Sequence, residues 1–210
     1  MKKSNFLFNV INVVVLMWLT SCASPRHQSY EDEITAIRQE INASFRDSAH
    51  TPLRGRHLKE FTEFPFFPVD KKYAVQAHLK RTPEALPFEI PTSSGQNKKF
   101  RSFGIATFLL DGKEYQLTLY ESLKPDGTVR DVTSLFLPFR DLTNDEETYG
   151  GGRYLDIKKP TGITVMIDFN KAYHPYCAYN AFDYSCPLVP AENRLAVAIP
   201  AGVKYEKKYY

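Results

Sequence analysis

The last third of the chain gathers the residues whose chemistry stands out. In Tyr149-Gly150-Gly151-Gly152-Arg153-Tyr154-Leu155-Asp156 a planar, five-donor guanidinium follows three glycines. Such a run builds an anion-holding nest or, more commonly, a tight turn. No Gly-Lys-Ser/Thr follows, which excludes a P-loop. Asp168-Phe169-Asn170 closes a period-two run, so Asp168 and Asn170 share a face. They are either a functional pair or a polar cap bonded to nearby backbone. Glu192, stiffened by Pro187 and Pro190, makes a candidate acid–base pair with Asp168. The plainer alternative is a surface turn with Glu192 ion-paired to Arg194. Three readings compete for Cys177 and Cys186: a disulfide, free thiols, or a metal site with His174. The disulfide is favoured, because no fourth soft ligand lies near and structural zinc normally needs four. No metal and no cofactor is therefore expected. A cysteine nucleophile would need a base such as His174 to lower its pKa.

The elements that must position these groups change character along the chain. Tyr30–Ala49 is predicted helical: Ile34, Ile37, Ile41 and Phe45 form one apolar stripe, Glu31, Asp32 and Glu33 complement the first turn, and Thr51-Pro52 stops it. Beyond it the period is two. Tyr73, Val75, Ala77 and Leu79 alternate with polar residues. Phe100–Leu110 and Lys113–Glu121 flank Asp111-Gly112, the preferred two-residue hairpin turn. Thr128–Phe139, the run Ile163, Val165, Ile167, Phe169 and the run Leu195, Val197, Ile199 are further predicted strands. Five or more strands behind one helix indicate a mainly β domain, an antiparallel sandwich or a partly open barrel with one N-terminal α-helix.

The N-terminus reads as an address. Lys2 and Lys3 precede an apolar stretch from Phe6 to Trp18 that is short for a membrane-spanning helix. Leu19-Thr20-Ser21-Cys22 resembles the lipobox of bacterial lipoproteins. That resemblance implies a signal peptide over residues 1–21, cleavage before Cys22, a diacylglycerol on its sulfur and usually a third acyl chain, enough for stable anchoring. Residues 22–29 are then a lipidated tether and 30–210 a single domain. No Asp follows Cys22 and no acidic run follows it. The expected place is the outer membrane, periplasmic side, an oxidising compartment that permits a disulfide. The mature chain keeps 25 basic residues, the 27 less Lys2 and Lys3, against 24 acidic ones. That near-neutral balance excludes a field that would draw nucleic acid. Membrane, through the lipid on Cys22, is the expected partner.

Four strings resemble the bacterial domain-of-unknown-function family 1684. They are Leu135-Phe136-Leu137-Pro138-Phe139-Arg140-Asp141; Glu147 through Asp156; Asp168 through Tyr179; and Cys186-Pro187-Leu188-Val189-Pro190-Ala191-Glu192-Asn193. Glu63–Asp70 and the Asp111-Gly112 hairpin extend the similarity over nearly the whole mature chain. His174 stands where the family usually has Asn, and Val203 where it usually has Glu. The resemblance implies no established activity. It places Arg153, Tyr154, Asp156, Asp168, Asn170, Tyr173, Cys177, Cys186, Glu192 and Asn193 on family motifs, and so suggests a shared pocket.

Two functional readings follow. In the first, a lipid-anchored ligand-binding or envelope-interaction domain takes a small anionic ligand. Arg153 holds the anion, Tyr154, Tyr173 and Tyr179 form stacking walls, and Asp156, Asn170 and Asn193 complete the site. In the second, a periplasmic hydrolase uses Asp168 and Glu192, with Arg153 holding substrate.

Overall fold

The structure is a computed structural model and describes residues 29–205. The signal segment, Cys22 and the tether up to residue 28 lie outside the described residues. Helix α1 spans Tyr30–Arg46. Ser29 Oγ accepts from the Asp32 N–H while the Asp32 carboxylate accepts from the Ser29 N–H, a reciprocal capping box. The helix ends before the expected Ala49. Asp47 turns extended, and its carboxylate takes the Ala49 N–H, drawing the chain into a turn. Ile34 and Phe45 of the apolar stripe are buried, as expected of a helix packed on the body.

Seven strands follow: β1 (Ala74–Arg81), β2 (Phe88–Pro91), β3 (Asn97–Leu110), β4 (Lys113–Ser122), β5 (Ser134–Phe139), β6 (Arg153–Lys158) and β7 (Thr164–Asp168). They form one antiparallel sheet in the order β6-β5-β4-β3-β1-β7, with β2 also on β3. The sheet curves into a half-barrel, the partly open alternative of the two expected architectures. Its inner face carries the main core, including Leu79, Phe108, Leu117, Leu135, Phe139 and Ile167. Asp111 and Gly112 both take positive φ, 49° and 75°, as a two-residue hairpin turn requires.

Three strand expectations are corrected. Thr128–Phe139 is strand only from Ser134. The Asp131 carboxylate accepts from the N–H and hydroxyl of Thr133 and from the Ser134 hydroxyl, which satisfies that backbone locally instead of in a ladder. Ile163 lies outside β7 and is exposed. Leu195, Val197 and Ile199 form no strand. Single bonds from Leu195 N–H to the Arg140 carbonyl and from Leu142 N–H to the Val197 carbonyl hold this segment, and Leu195 and Ile199 are buried in the main core.

Candidate functional site

Strand β6 presents two chemistries on its two faces. Gly152, which precedes it, has φ +97°, and a Cβ there would meet the Phe139 carbonyl oxygen at 2.7 Å. The glycine run is therefore a close-packed turn into β6. Arg153, Leu155 and Ile157 point inward, Tyr154 and Asp156 outward.

Arg153 was expected to hold an anionic ligand, and the structure corrects this. Its side chain is fully buried and forms an ion pair with Asp141 at 2.6 Å. The same guanidinium donates to the carbonyls of Ala201 and Ile199, and its Cζ lies over the Phe139 ring, 5.0 Å from the centroid. Asp141 also accepts from the Thr143 hydroxyl and the Ile199 N–H. Burial lowers the Arg153 pKa, and the Asp141 charge opposes the shift. These bonds join the β5 end, β6 and the 199–201 segment, leaving no access for a ligand.

Asp168 and Asn170 share a neighbourhood as expected, but it is a structural one. Asp168 accepts from the Asn170 N–H and from the Tyr30 hydroxyl, while Asn170 bonds both the N–H and the carbonyl of Asp70. The cluster ties the start of α1 to the end of β7. Asn193 is fully buried. It accepts from the Thr118 N–H and donates to the Thr118 and Pro138 carbonyls, bridging β4 and β5. Neither asparagine can serve a ligand. Glu192 is exposed and accepts from the Tyr120 hydroxyl at 2.9 Å. Asp168 ends β7 and Tyr120 lies on β4, with β1 and β3 between, and neither carboxylate lines a described cavity. The Asp168/Glu192 acid–base pair is thus corrected as well.

The outward residues do converge. Tyr154, Asp156 and Tyr173 line a recess of about 460 Å³ with Tyr176, Tyr184 and Pro187. Tyr173 donates to the Asp156 carboxylate at 2.8 Å, and Tyr154 donates to the Pro187 carbonyl. The concave surroundings raise the Asp156 pKa by desolvation, and the Tyr173 hydroxyl opposes this. Burial raises the pKa of Tyr154 and Tyr173, so both remain hydrogen-bond donors. Tyr179, expected as a wall, sits at the back of the recess, packed against Phe45 and Phe64. A second recess of about 750 Å³ opens alongside and shares Lys98, Asp156 and Pro187 with the first. Its wall includes Lys99, Arg130 and Phe136.

Sequence reasoning missed Lys98, Lys99, Arg130, Tyr176 and Tyr184. The basic pair at the start of β3 was the available signal, but nothing local says which loops it faces.

His174 is buried, with Nε2 accepting from the Tyr149 N–H at 3.2 Å and Nδ1 3.3 Å from the Tyr179 hydroxyl. Burial, and then the Arg153 charge, hold its pKa well below the ordinary histidine value, so the ring is neutral and both nitrogens are engaged. It supplies neither a base nor a metal ligand. Among the described residues no group of three or more His, Cys, Asp or Glu is placed to hold a metal ion. Cys177 and Cys186 are buried, free thiols in this structure, with the Cys177 N–H 3.2 Å from Cys186 Sγ. Their mutual hydrogen bond lowers the pKa of Cys177 and raises that of Cys186.

A solved structure, the solution NMR structure of an uncharacterised protein of Haloarcula marismortui, superposes with a TM-score of 0.66 at 28% identity, over 84% of this chain and 94% of that one. A search of curated proteins finds no match. The family model described as a protein of unknown function, DUF1684, matches residues 59–204, a span that holds β1 to β7 and the larger recess but not α1, whose Ile41, Ser44 and Phe45 help line the aromatic recess. The chain belongs to the DUF1684 family.

Proposed function

We propose that this chain is a membrane-anchored bacterial lipoprotein whose β body is a ligand-binding or envelope-interaction domain on the periplasmic side of the outer membrane. One observation carries the binding reading: the outward residues of β6 and of the 173–187 segment meet in an aromatic recess that shares Lys98, Asp156 and Pro187 with a second, larger one beside it. Both volumes fall within the range of small-molecule sites, and a few polar groups amid apolar walls are the usual composition of such sites. The anchor rests on Leu19-Thr20-Ser21-Cys22, and the membrane is the partner through lipid on Cys22. In that oxidising compartment the adjoining Cys177 and Cys186 close a disulfide, which stabilises the wall of the recess by about 2–3 kcal/mol.

Two measurements test this reading. Radiolabelled palmitate enters the wild-type chain and not Cys22→Ala; equal labelling contradicts the anchor. Solvent extracts of the purified protein, compared by mass spectrometry with those of Tyr154→Ala and Tyr176→Ala, contain a small molecule that the variants lose. Identical extracts contradict the binding site.

A further inference from the structure

The larger recess carries three cations, Lys98, Lys99 and Arg130, alongside three carboxylates, Glu89, Asp131 and Asp156. None of these cations forms an ion pair among the described residues, with those carboxylates or any other. Lys98 donates to the Ser185 carbonyl at 2.7 Å and Lys99 to the Pro125 carbonyl at 3.2 Å. A carbonyl takes one donor of an ammonium and none of its formal charge, so each lysine keeps donors to offer. The carboxylates of the same wall are engaged elsewhere. Asp131 accepts from the Thr133 and Ser134 hydroxyls, which hold its pKa well below the usual carboxylate range. Glu89 accepts from Asn97 at 2.7 Å, and Asp156 from Tyr173. The wall has little net charge, so recognition there is short-range and directional.

We infer that the two adjoining recesses take one anionic amphiphile, a molecule with a phosphate or carboxylate on a planar apolar body. The anion sits at Lys98, Lys99 and Arg130. The body lies over Lys98 and Pro187, which with Asp156 are the residues both recesses share, against Tyr154, Tyr176 and Tyr184; Asp156 meets it with its carboxylate bonded to Tyr173. Arg130 supplies the planar fork that pairs two oxygens at once, and the lysines add point charges. This inference rests on the proposed binding site and names its ligand class.

Isothermal titration of the purified full-length protein tests it with three probes: 1-naphthyl phosphate, 1-naphthol and inorganic phosphate. Naphthyl phosphate is expected to bind about tenfold or more tightly than either fragment. The Lys98→Gln/Arg130→Gln double variant loses about tenfold for naphthyl phosphate and nothing for naphthol. Lys98 and Arg130 are exposed and outside the core, and Arg130→Lys, which keeps the charge but not the fork, gives an intermediate loss. Naphthol binding as tightly as naphthyl phosphate overturns the anionic class and leaves the recess as a site. Phosphate binding as tightly as naphthyl phosphate overturns the amphiphile. No binding by any probe overturns this inference alone, because the proposed binding site is read separately from the extracts of wild-type and Tyr154→Ala protein.

Discussion

Arg153 and Tyr154 are neighbours on one strand and end in opposite roles. The inward side chain holds the fold: a buried guanidinium bonded to Asp141 and to two carbonyls of the C-terminal segment. The outward one lines a cavity with Tyr173 and Asp156. A polar residue in a glycine-rich motif therefore says little about function until its face is known. On the inner face of a half-barrel it must satisfy buried backbone, and on the outer face it is free to meet a ligand. The same division separates Asn193, spent between β4 and β5, from Asp156, which remains exposed.

The largest expected effect lies on the inward face. Arg153→Ala leaves the Asp141 charge buried without its cation and costs about 3–5 kcal/mol, read as a lowered midpoint in urea unfolding. A loss below about 1 kcal/mol would break the contrast between the two faces. Asn193→Ala removes three hydrogen bonds and strands the Thr118 N–H, for about 1–3 kcal/mol in the same assay.

His174 sharpens the contrast through pH. Its folded pKa is depressed and its unfolded pKa is ordinary, so below about 6.5 the unfolded state takes up a proton that the native ring refuses. Its contribution is present above that pH and is lost as pH falls toward the folded pKa, at up to about 1.4 kcal/mol per pH unit. His174→Asn is expected to remove that slope between pH 6.5 and 5 in unfolding measured across pH. An unchanged slope would mean that the ring is protonated in the native state.

The smallest effect lies on the outward face. Tyr173→Phe changes stability by about 0.5–1 kcal/mol or less, since its hydrogen bond is solvent-exposed. It raises the Asp156 pKa further, because the lost hydroxyl had stabilised the carboxylate. Carboxyl-carbon NMR titration reads this shift, and a downward shift would contradict the bond. A group with a raised folded pKa contributes stability at pH below the usual carboxylate range. That stability is lost as pH rises through the folded value, and in the variant the loss falls at higher pH.

Local patterns carried much of the fold. The helix, its acidic first turn and the Asp111-Gly112 hairpin follow from periodicity and turn chemistry, and they stand where expected except that the helix stops at Arg46 instead of Ala49. The alternation of Leu195, Val197 and Ile199 misled, because a segment that plugs into a core buries alternate residues without pairing along its length. Asp131 delayed the start of a predicted strand to Ser134 through side-chain bonds that compete with a ladder. The site was half legible. Tyr154, Asp156 and Tyr173 line one recess, while Arg153, Asn170 and Asn193 went to structural work. Telling these sets apart requires the strand's facing, which follows from β6 pairing with β5 in the assembled sheet and not from the local pattern.

The most direct test follows tyrosine ring signals in the NMR spectrum of ring-labelled protein as 1-naphthyl phosphate is added. The rings of Tyr154, Tyr173, Tyr176 and Tyr184 line the aromatic recess, whereas Tyr30, Tyr73 and Tyr115 do not. The expected result is a saturable shift of the first four signals with the last three unmoved. Movement of Tyr30, Tyr73 or Tyr115 with a silent recess, or no movement at all, would contradict the assignment of ligand binding to the outward face of β6.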